Sequence, residues 1–282
     1  MKYFIYILSF FIVLFTSCDD EVRLDDFSTN NTEQLVVIYG YISPQDDLLQ
    51  VQVSKTLSSI NNIAENDEEA FVIANAVVTL SNVMGDTVVL LYVSEDLNYQ
   101  IDASQLAIVP GGTYNLSVLV DGRTYTSSCI IPSNTISQIN HQLTDNLDEN
   151  GNLKESVTII FDDITAESNR YIVGARLENY IVESTLKYGN QRFVTDQIED
   201  GAQLSSYGFF AVSDTETVTD IVLQVANVNP VLYDNLFATW SNKENKDDPF
   251  YEVVIPPNNI TGEKVYGVFA GFQIAEKLIE YQ

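Results

Sequence analysis

Short runs of β-branched and aromatic residues, each followed by turn-forming residues, recur along this chain and constrain its fold more than any other feature. Before Pro132 the runs cover residues 35–42, 48–56, 71–83, 86–93, 113–120 and 123–131. Side chains of this kind favour the pleated, half-buried surface of a β-strand, and no helical period lies between the runs. The spacing therefore predicts an all-β chain that begins with an antiparallel β-sandwich.

Asp121-Gly122 is the most specific local signal, because it separates two alternating runs by only two residues. Both residue types accept the positive φ angles that a type I′ hairpin turn requires, so the sequence predicts a tight hairpin here. The alternation also places Cys129 on the inward face of the second strand, where we expect a small core residue. If Cys18 is lipidated, Cys129 has no cysteine left for an intrachain disulfide.

A second strand-rich region follows the polar stretch after Pro132. Its runs cover residues 156–163, 170–185, 192–198, 207–213, 218–227, 250–255 and 264–274. Between them, apolar residues recur at three- and four-residue intervals after Pro230, which predicts a short amphipathic helix near residues 230–241. We therefore predict two folded portions, residues 34–133 and residues 134–282.

The N-terminus has the pattern of a lipoprotein signal peptide over residues 1–17. Its apolar run, residues 4–15, is shorter than the roughly 20 residues that a membrane-spanning helix needs. The sequence Phe15-Thr16-Ser17-Cys18 resembles a bacterial lipobox, in which the cysteine thiol receives a diacylglycerol and the peptidase cleaves before it. Because two or more acyl chains anchor a protein stably, we expect Cys18 to hold the mature chain in a membrane.

The residues that follow this cysteine are acidic and polar. Asp19, Asp20 and Glu21 resemble the export signal that directs lipoproteins of Bacteroidota-type bacteria to the outer face of the outer membrane; the alternative is a plain soluble tether. Residues 18–33 as a whole are weakly patterned, which predicts an acidic flexible tether. We therefore expect a lipid-anchored outer-membrane protein that faces the cell exterior.

Acidic residues strongly outnumber basic ones, with 40 Asp and Glu against 13 Lys and Arg and a formal net charge of -27. Nucleic-acid binding depends on basic patches, so this balance argues against a nucleic-acid partner. It argues equally against anionic lipid surfaces and other polyanions. A well-solvated surface is the simplest explanation of the charge.

The chain carries few of the residues that catalytic and metal sites need. His141 is the single histidine, so a two-histidine metal site is impossible, and no Gly-x-Ser-x-Gly elbow accompanies it. It lies in a polar stretch, where we expect a solvated loop histidine. The nearby DNLDENGN fails as a calcium loop because Val157 occupies the position of the bidentate glutamate, so we expect a polar turn. We predict no enzyme activity, no cofactor and no metal site.

Aromatic residues gather in the second region of the chain. They are Tyr207, Phe209, Phe210, Tyr233, Phe237, Trp240, Phe250 and Tyr251. Such rings form a ligand or protein contact patch when they are exposed and a core when they are buried. The sequence favours a core and leaves the patch open.

Several segments, in a fixed order, point to one family: LVVIYGYIS, VQVSKTLS, ANAVVTLSN, YNLSVLVDGRTYTSSCIIP, NRYIVGARLENY and DPFYEVVIPPNNITGEKVYGVFAGF. Together they extend from about residue 33 to residue 274 and resemble the Bacteroidota outer-membrane lipoproteins known as domain of unknown function 4249. Gly262-Glu263-Lys264 departs from the glycine pair that the family usually has there. The resemblance implies an N-terminal immunoglobulin-like β-sandwich, a β-rich C-terminal domain and genetic company with TonB-dependent transporters. It implies no catalytic residues.

Three functional hypotheses follow. The first, which the resemblance favours, is an accessory or substrate-capture subunit of a TonB-dependent outer-membrane transporter, anchored at the cell surface. The alternative is a structural envelope scaffold or adhesin without a small-molecule ligand. The third is a hydrolase, which would need a cleft where His141 or a carboxylate pair meets a nucleophile.

We expect Cys18→Ala to block acylation, because only the cysteine sulfur can form the thioether to diacylglycerol. The variant should accumulate as an uncleaved precursor and incorporate no radiolabelled palmitate in the native host, whereas Cys129→Ala should be labelled like the wild type. Palmitate incorporation into the Cys18→Ala protein would refute the anchor.

Overall fold

A computed structural model of the protein describes residues 34–56, 68–147, 153–178, 184–185, 190–196, 200–211 and 220–280. The predicted signal peptide and tether, and with them Cys18, Asp19, Asp20 and Glu21, lie outside the described residues. The predicted anchor and export signal therefore stay predictions.

The described residues form fifteen strands and one α-helix. The strands are β1 (Val36–Ile42), β2 (Leu48–Lys55), β3 (Val77–Asn82), β4 (Thr87–Val93), β5 (Asn98–Asp102), β6 (Thr113–Val120), β7 (Arg123–Ile130), β8 (Ile139–Leu147), β9 (Leu153–Asp162), β10 (Arg170–Glu178), β11 (Ser184–Thr185), β12 (Phe193–Thr195), β13 (Gln203–Ala211), β14 (Asp220–Val228) and β15 (Val265–Glu280). The helix, α1, is Pro230–Glu244, and short 3₁₀ turns occupy Glu68–Phe71, Ala103–Gln105 and Asn190–Arg192. This confirms the predicted all-β class with one short helix.

The N-terminal half is a sandwich of two sheets that share β4. Leu90 of β4 pairs with β3, whereas the next residue, Leu91, pairs with β5. One sheet thus runs β1-β2-β5-β4 and the other β4-β3-β6-β7. The inner faces meet in a buried core that includes Ile38, Ile42, Leu49, Val51, Val53, Val78, Leu80, Leu116, Val118 and Tyr125. Alternating burial along β2 and β6 places every second side chain in this core, which explains the period of two in the sequence.

The C-terminal half contains a second pair of sheets. A three-stranded sheet, β13-β9-β8, is separate from the sheet that contains β10, β14 and β15. Their shared core includes Ile139, Val157, Ile159, Phe161, Phe210, Tyr171, Val173, Leu177, Ile221, Leu223 and Val225. Burial of these apolar side chains against each other is the main stabilising contribution in this half.

β15 belongs to both halves. Its first part, from Val265 to Gly271, pairs in parallel with β1, and its second part, from Phe272 to Glu280, pairs antiparallel with β14. The hydrogen-bonded sheet therefore continues across the predicted boundary at residue 134, and the described residues cluster as one unit. Separate folding of residues 34–133 and 134–282 stays a prediction.

Buried amide side chains tie the connection between β7 and β8 to this sheet. Asn227 Nδ2 donates to the backbone oxygen of Asn134 at 3.0 Å, and Gln273 Nε2 donates to the backbone oxygen of Pro132. Both amides are almost completely buried. Because a buried amide without a partner costs free energy, these bonds favour one position for the connection.

The β6–β7 hairpin is as predicted. Asp121 and Gly122 have φ angles of 48° and 79°, and Val120 pairs with Arg123 directly across the turn. Cys129 is buried in the first core, which confirms its predicted role, and burial raises the pKa of its thiol to about 12.

Three segments differ from the predictions. β5 and β8 were not predicted: β5 buries only Tyr99, and β8 is a polar edge strand that pairs with β9 alone. β5 has only two apolar residues, Tyr99 and Ile101, and β8 has an apolar residue only at every fourth position, so each strand signal is weak. Residues 250–255, predicted as a strand, are irregular and pair with no strand among the described residues.

Gly267 is the position where β15 depends most on a missing side chain. Its φ is 146°, and a Cβ atom there would lie 1.8 Å from the backbone oxygen of Ile38. We expect Gly267→Ala to lower the free energy of unfolding by about 3 kcal/mol or more, because strain and backbone displacement add. Equilibrium denaturation of the purified protein measures this.

Gly174→Ala is the matched control in another strand. A Cβ at Gly174 would meet only the flexible side chain of Gln224, at 3.4 Å. We expect this change to alter the free energy of unfolding by less than about 1 kcal/mol. Equal effects of the two substitutions would contradict the close β1–β15 contact.

Candidate functional site

α1 packs on β15 and β10. Pro230 occupies its first turn, as predicted, and Leu232 and Tyr233 pack against Val268 and Ala270. At the start of the helix, Asn229 Oδ1 accepts a hydrogen bond from the backbone N–H of Gly271 at 2.6 Å. The helix is therefore fixed to the strand that joins the two halves.

The aromatic residues of the second region divide between core and surface. Phe210 is buried in the second core. Phe193 contacts the rings of Tyr233, Phe237 and Trp240, with centroids 5.3–5.7 Å apart, and forms an aromatic cluster on α1. The core interpretation is therefore confirmed for Phe210, whereas Phe250 stands almost entirely in solvent and the contact patch stays a prediction.

The segment after α1 exposes a short run of apolar side chains. We call Phe250, Val253, Val254 and Ile255 the apolar strip. The exposed fractions of Phe250, Val253 and Ile255 are 95%, 70% and 87%. Single exposed apolar residues are common, but four within six residues of a strongly acidic chain make this segment a candidate contact surface.

Hydrogen bonds hold the backbone of the apolar strip against α1. Asn242 Nδ2 donates to the backbone oxygen of Val254 at 2.8 Å, and the Val254 N–H donates to Asn242 Oδ1 at 2.9 Å. The Tyr251 hydroxyl donates to Ser241 Oγ at 2.8 Å. The Asn242 side chain thus bonds both backbone groups of Val254, as a neighbouring strand would. The backbone that carries the apolar side chains is therefore held in one conformation.

A similar exchange fixes the end of this segment to β15. Asn259 Nδ2 donates to the backbone oxygen of Phe269 at 2.7 Å, and the Phe269 N–H donates to Asn259 Oδ1 at 2.9 Å. Asn235 of α1 donates to the backbone oxygen of Pro257 at 3.0 Å. The apolar strip is therefore held at both ends by the helix and the shared strand.

Prolines were the sequence signal for this arrangement. Pro249, Pro256 and Pro257 flank the apolar strip, and a proline cannot donate a hydrogen bond to a sheet. They argue for an exposed extended segment outside the sheet. The prediction of a strand at residues 250–255 considered the apolar residues and not the prolines.

His141 lies on β8, so the expectation of a loop histidine is wrong. The polar residues around it pair with β9 as an edge strand, with His141 opposite Ile159. Burial and the nearby Lys277 lower the pKa of the imidazole, and its Nδ1 atom accepts no hydrogen bond. Among the described residues, no hydrogen bond joins His141 to a hydroxyl or a carboxylate.

Clusters of metal ligands and membrane-spanning helices are both absent from the described part of the chain. No group of three His, Cys, Asp or Glu side chains there could hold a metal ion. No helix of the described ranges is long and apolar enough to cross a bilayer. The expected polar turn covers residues 145–152. Its first three residues belong to β8, so the turn does not begin there, and residues 148–152 lie outside the described residues.

The sequence model of the family described as Domain of unknown function (DUF4249) matches residues 21–278. The chain belongs to this family. No curated protein matches the chain. The DUF4249 match covers both sandwiches, α1 and the apolar strip, and it ends within β15. The family resemblance found in the sequence is therefore confirmed.

Proposed function

We propose that this DUF4249 protein is a surface-anchored outer-membrane lipoprotein that serves as an accessory or substrate-capture subunit of a TonB-dependent transporter. The predicted acyl anchor at Cys18 and the acidic residues after it support the location. The resemblance to transporter-associated lipoproteins supports the partner. The apolar strip is the observation that carries the proposal, since it offers a surface for a second protein.

The surroundings of the apolar strip suit a protein partner. Asp247, Asp248 and Glu252 are exposed and lie next to the strip in the sequence, as does the exposed Lys246, so mostly acidic groups flank the apolar side chains. Protein interfaces commonly place apolar anchors inside a polar rim. A transporter surface with apolar pockets and basic residues around them would complement this arrangement.

The alternative is a structural scaffold or adhesin. Both sandwiches have filled apolar cores, and a net charge of -27 gives a well-solvated exterior. A scaffold needs no defined partner at the apolar strip, so partner capture separates the two proposals.

We expect the double variant Phe250→Ser, Ile255→Ser to lose a co-purifying transporter. A tagged wild-type protein, extracted from native membranes in a mild detergent, should bring down a large outer-membrane barrel. The double variant should recover at least about tenfold less, because anchors at the centre of an interface carry most of its binding energy. Mass spectrometry of the captured proteins measures this.

Met84→Ser, Leu91→Ser is the matched control. Both residues are exposed apolar side chains of the N-terminal sandwich, away from the apolar strip in the chain. This variant should retain the barrel. A wild-type protein recovered alone, or equal recovery of the barrel by all three proteins, would contradict the proposal.

A further inference from the structure

The outer face of the first sandwich contains a cavity of about 380 Å³ beside the part of the sheet that α1 covers. Its lining includes Tyr39, Tyr41, Asp46, Gln50, Gln52 and Asn98. Pockets of this size hold small molecules. The cavity lies on β1, β2 and β5, whereas the apolar strip follows α1 in the chain.

Strand register brings these side chains together. Tyr39 of β1 pairs with Gln52 of β2, and Tyr41 pairs with Gln50. Gln50 in turn pairs with Gln100 of β5. The paired side chains form two rows across the sheet, one through Tyr39 and Gln52 and the other through Tyr41, Gln50 and Gln100. Both rows lie on the outer face, because the residues between them along β1 and β2 are buried.

The two rows make a small platform, which we define as Tyr39, Tyr41, Gln50, Gln52, Asn98 and Gln100. Strands lie about 4.8 Å apart and same-face residues about 6.7 Å apart along a strand, so the platform measures about 10 Å by 7 Å. Tyrosines occupy one end and amides the other. One or two sugar rings would cover such an area.

Three of the platform amides, those of Gln50, Gln52 and Asn98, have hydrogen-bonding groups available for a ligand. The Gln100 amide does not, because its nitrogen donates to Asp96 Oδ2 at 2.8 Å and its oxygen accepts from Gln50. Gln50 Nε2 donates to Gln100 Oε1 at 3.1 Å, which leaves the Gln50 carbonyl oxygen open. Among the described residues, the side-chain amides of Gln52 and Asn98 make no protein hydrogen bond. Each amide can donate and accept at once, as pairing with the hydroxyls of a sugar requires.

Charge restricts the ligand further. Of the described residues that line the cavity, only Asp46 is charged, and burial raises the pKa of its carboxyl to about 6. Asp46 Oδ2 already accepts the Ser43 N–H at 2.7 Å. Without lysine or arginine in this lining, and with a net charge of -27, an anionic ligand is disfavoured.

We propose that this platform binds a neutral carbohydrate, with its apolar ring face against the tyrosines and its hydroxyls on Gln50, Gln52 and Asn98. An organic cation would contact Asp46 and the tyrosine rings, but it would form no hydrogen bonds with the amides of Gln50, Gln52 and Asn98. Binding here would give the proposed substrate-capture role a class of substrate, and its biological role rests on that proposed function. Binding itself depends only on the platform.

The test measures binding of maltotriose, cellotriose and xylotriose to the full mature lipoprotein by isothermal titration calorimetry. A polyoxyethylene detergent keeps the sample free of sugar headgroups. We expect at least one trisaccharide to bind with a dissociation constant of about 1 mM or tighter. Gln52→Ala and Asn98→Ala should each weaken it at least about fivefold, because each removes hydrogen bonds to hydroxyls.

Gln142→Ala, an exposed amide on β8, is the control and should bind like the wild type. The proposal is overturned if no trisaccharide binds at about 10 mM, or if the platform variants bind as the wild type does. It is also overturned if choline binds and the sugars do not. Gln52→Ala should still co-purify with the transporter, so failure of sugar binding is distinguishable from failure of the partner proposal.

Discussion

The pairing of one strand with partners from both ends of the chain determines this structure. β15 runs parallel to β1 through residues 265–271 and antiparallel to β14 through residues 272–280. The close approach of β1 and β15 requires a glycine at position 267. Because such a contact joins distant parts of the sequence, it must outweigh a considerable chain entropy, and the two apolar cores supply the free energy.

Both candidate surfaces depend on this strand. α1 packs on the outer face of β15, and the apolar strip is bound to α1 through Asn242 and to β15 through Asn259. The platform lies on the same sheet, with Tyr39 and Tyr41 packed against the cluster under α1. Thus the shared strand fixes the proposed partner surface and the proposed ligand surface on one framework. The arrangement is compatible with the proposed capture subunit, which would have to present a ligand near its partner.

Local features were predictable from the sequence, and long-range pairing was not. The Asp121-Gly122 hairpin and the helix after Pro230 depend on neighbouring residues, so both appear as predicted. β5 is short, with only Tyr99 and Ile101 as apolar residues, and β8 is mostly polar, so both strands depend largely on tertiary pairing with their neighbours. The platform depends on the register of β1 with β2 and β5, which places residues from three segments side by side. The predicted anchor at Cys18 is a local motif, so the sequence alone can suggest it.

Native-state hydrogen exchange tests the central role of β15 most directly. Exchange of the segments 265–271 and 272–280 would be followed by mass spectrometry as denaturant increases. Because one strand joins both sheets, the account predicts that the two segments open together, at free energies equal within about 1 kcal/mol. If residues 272–280 exchanged with the second core while residues 265–271 stayed protected, the two halves would be independent, and the account would be contradicted.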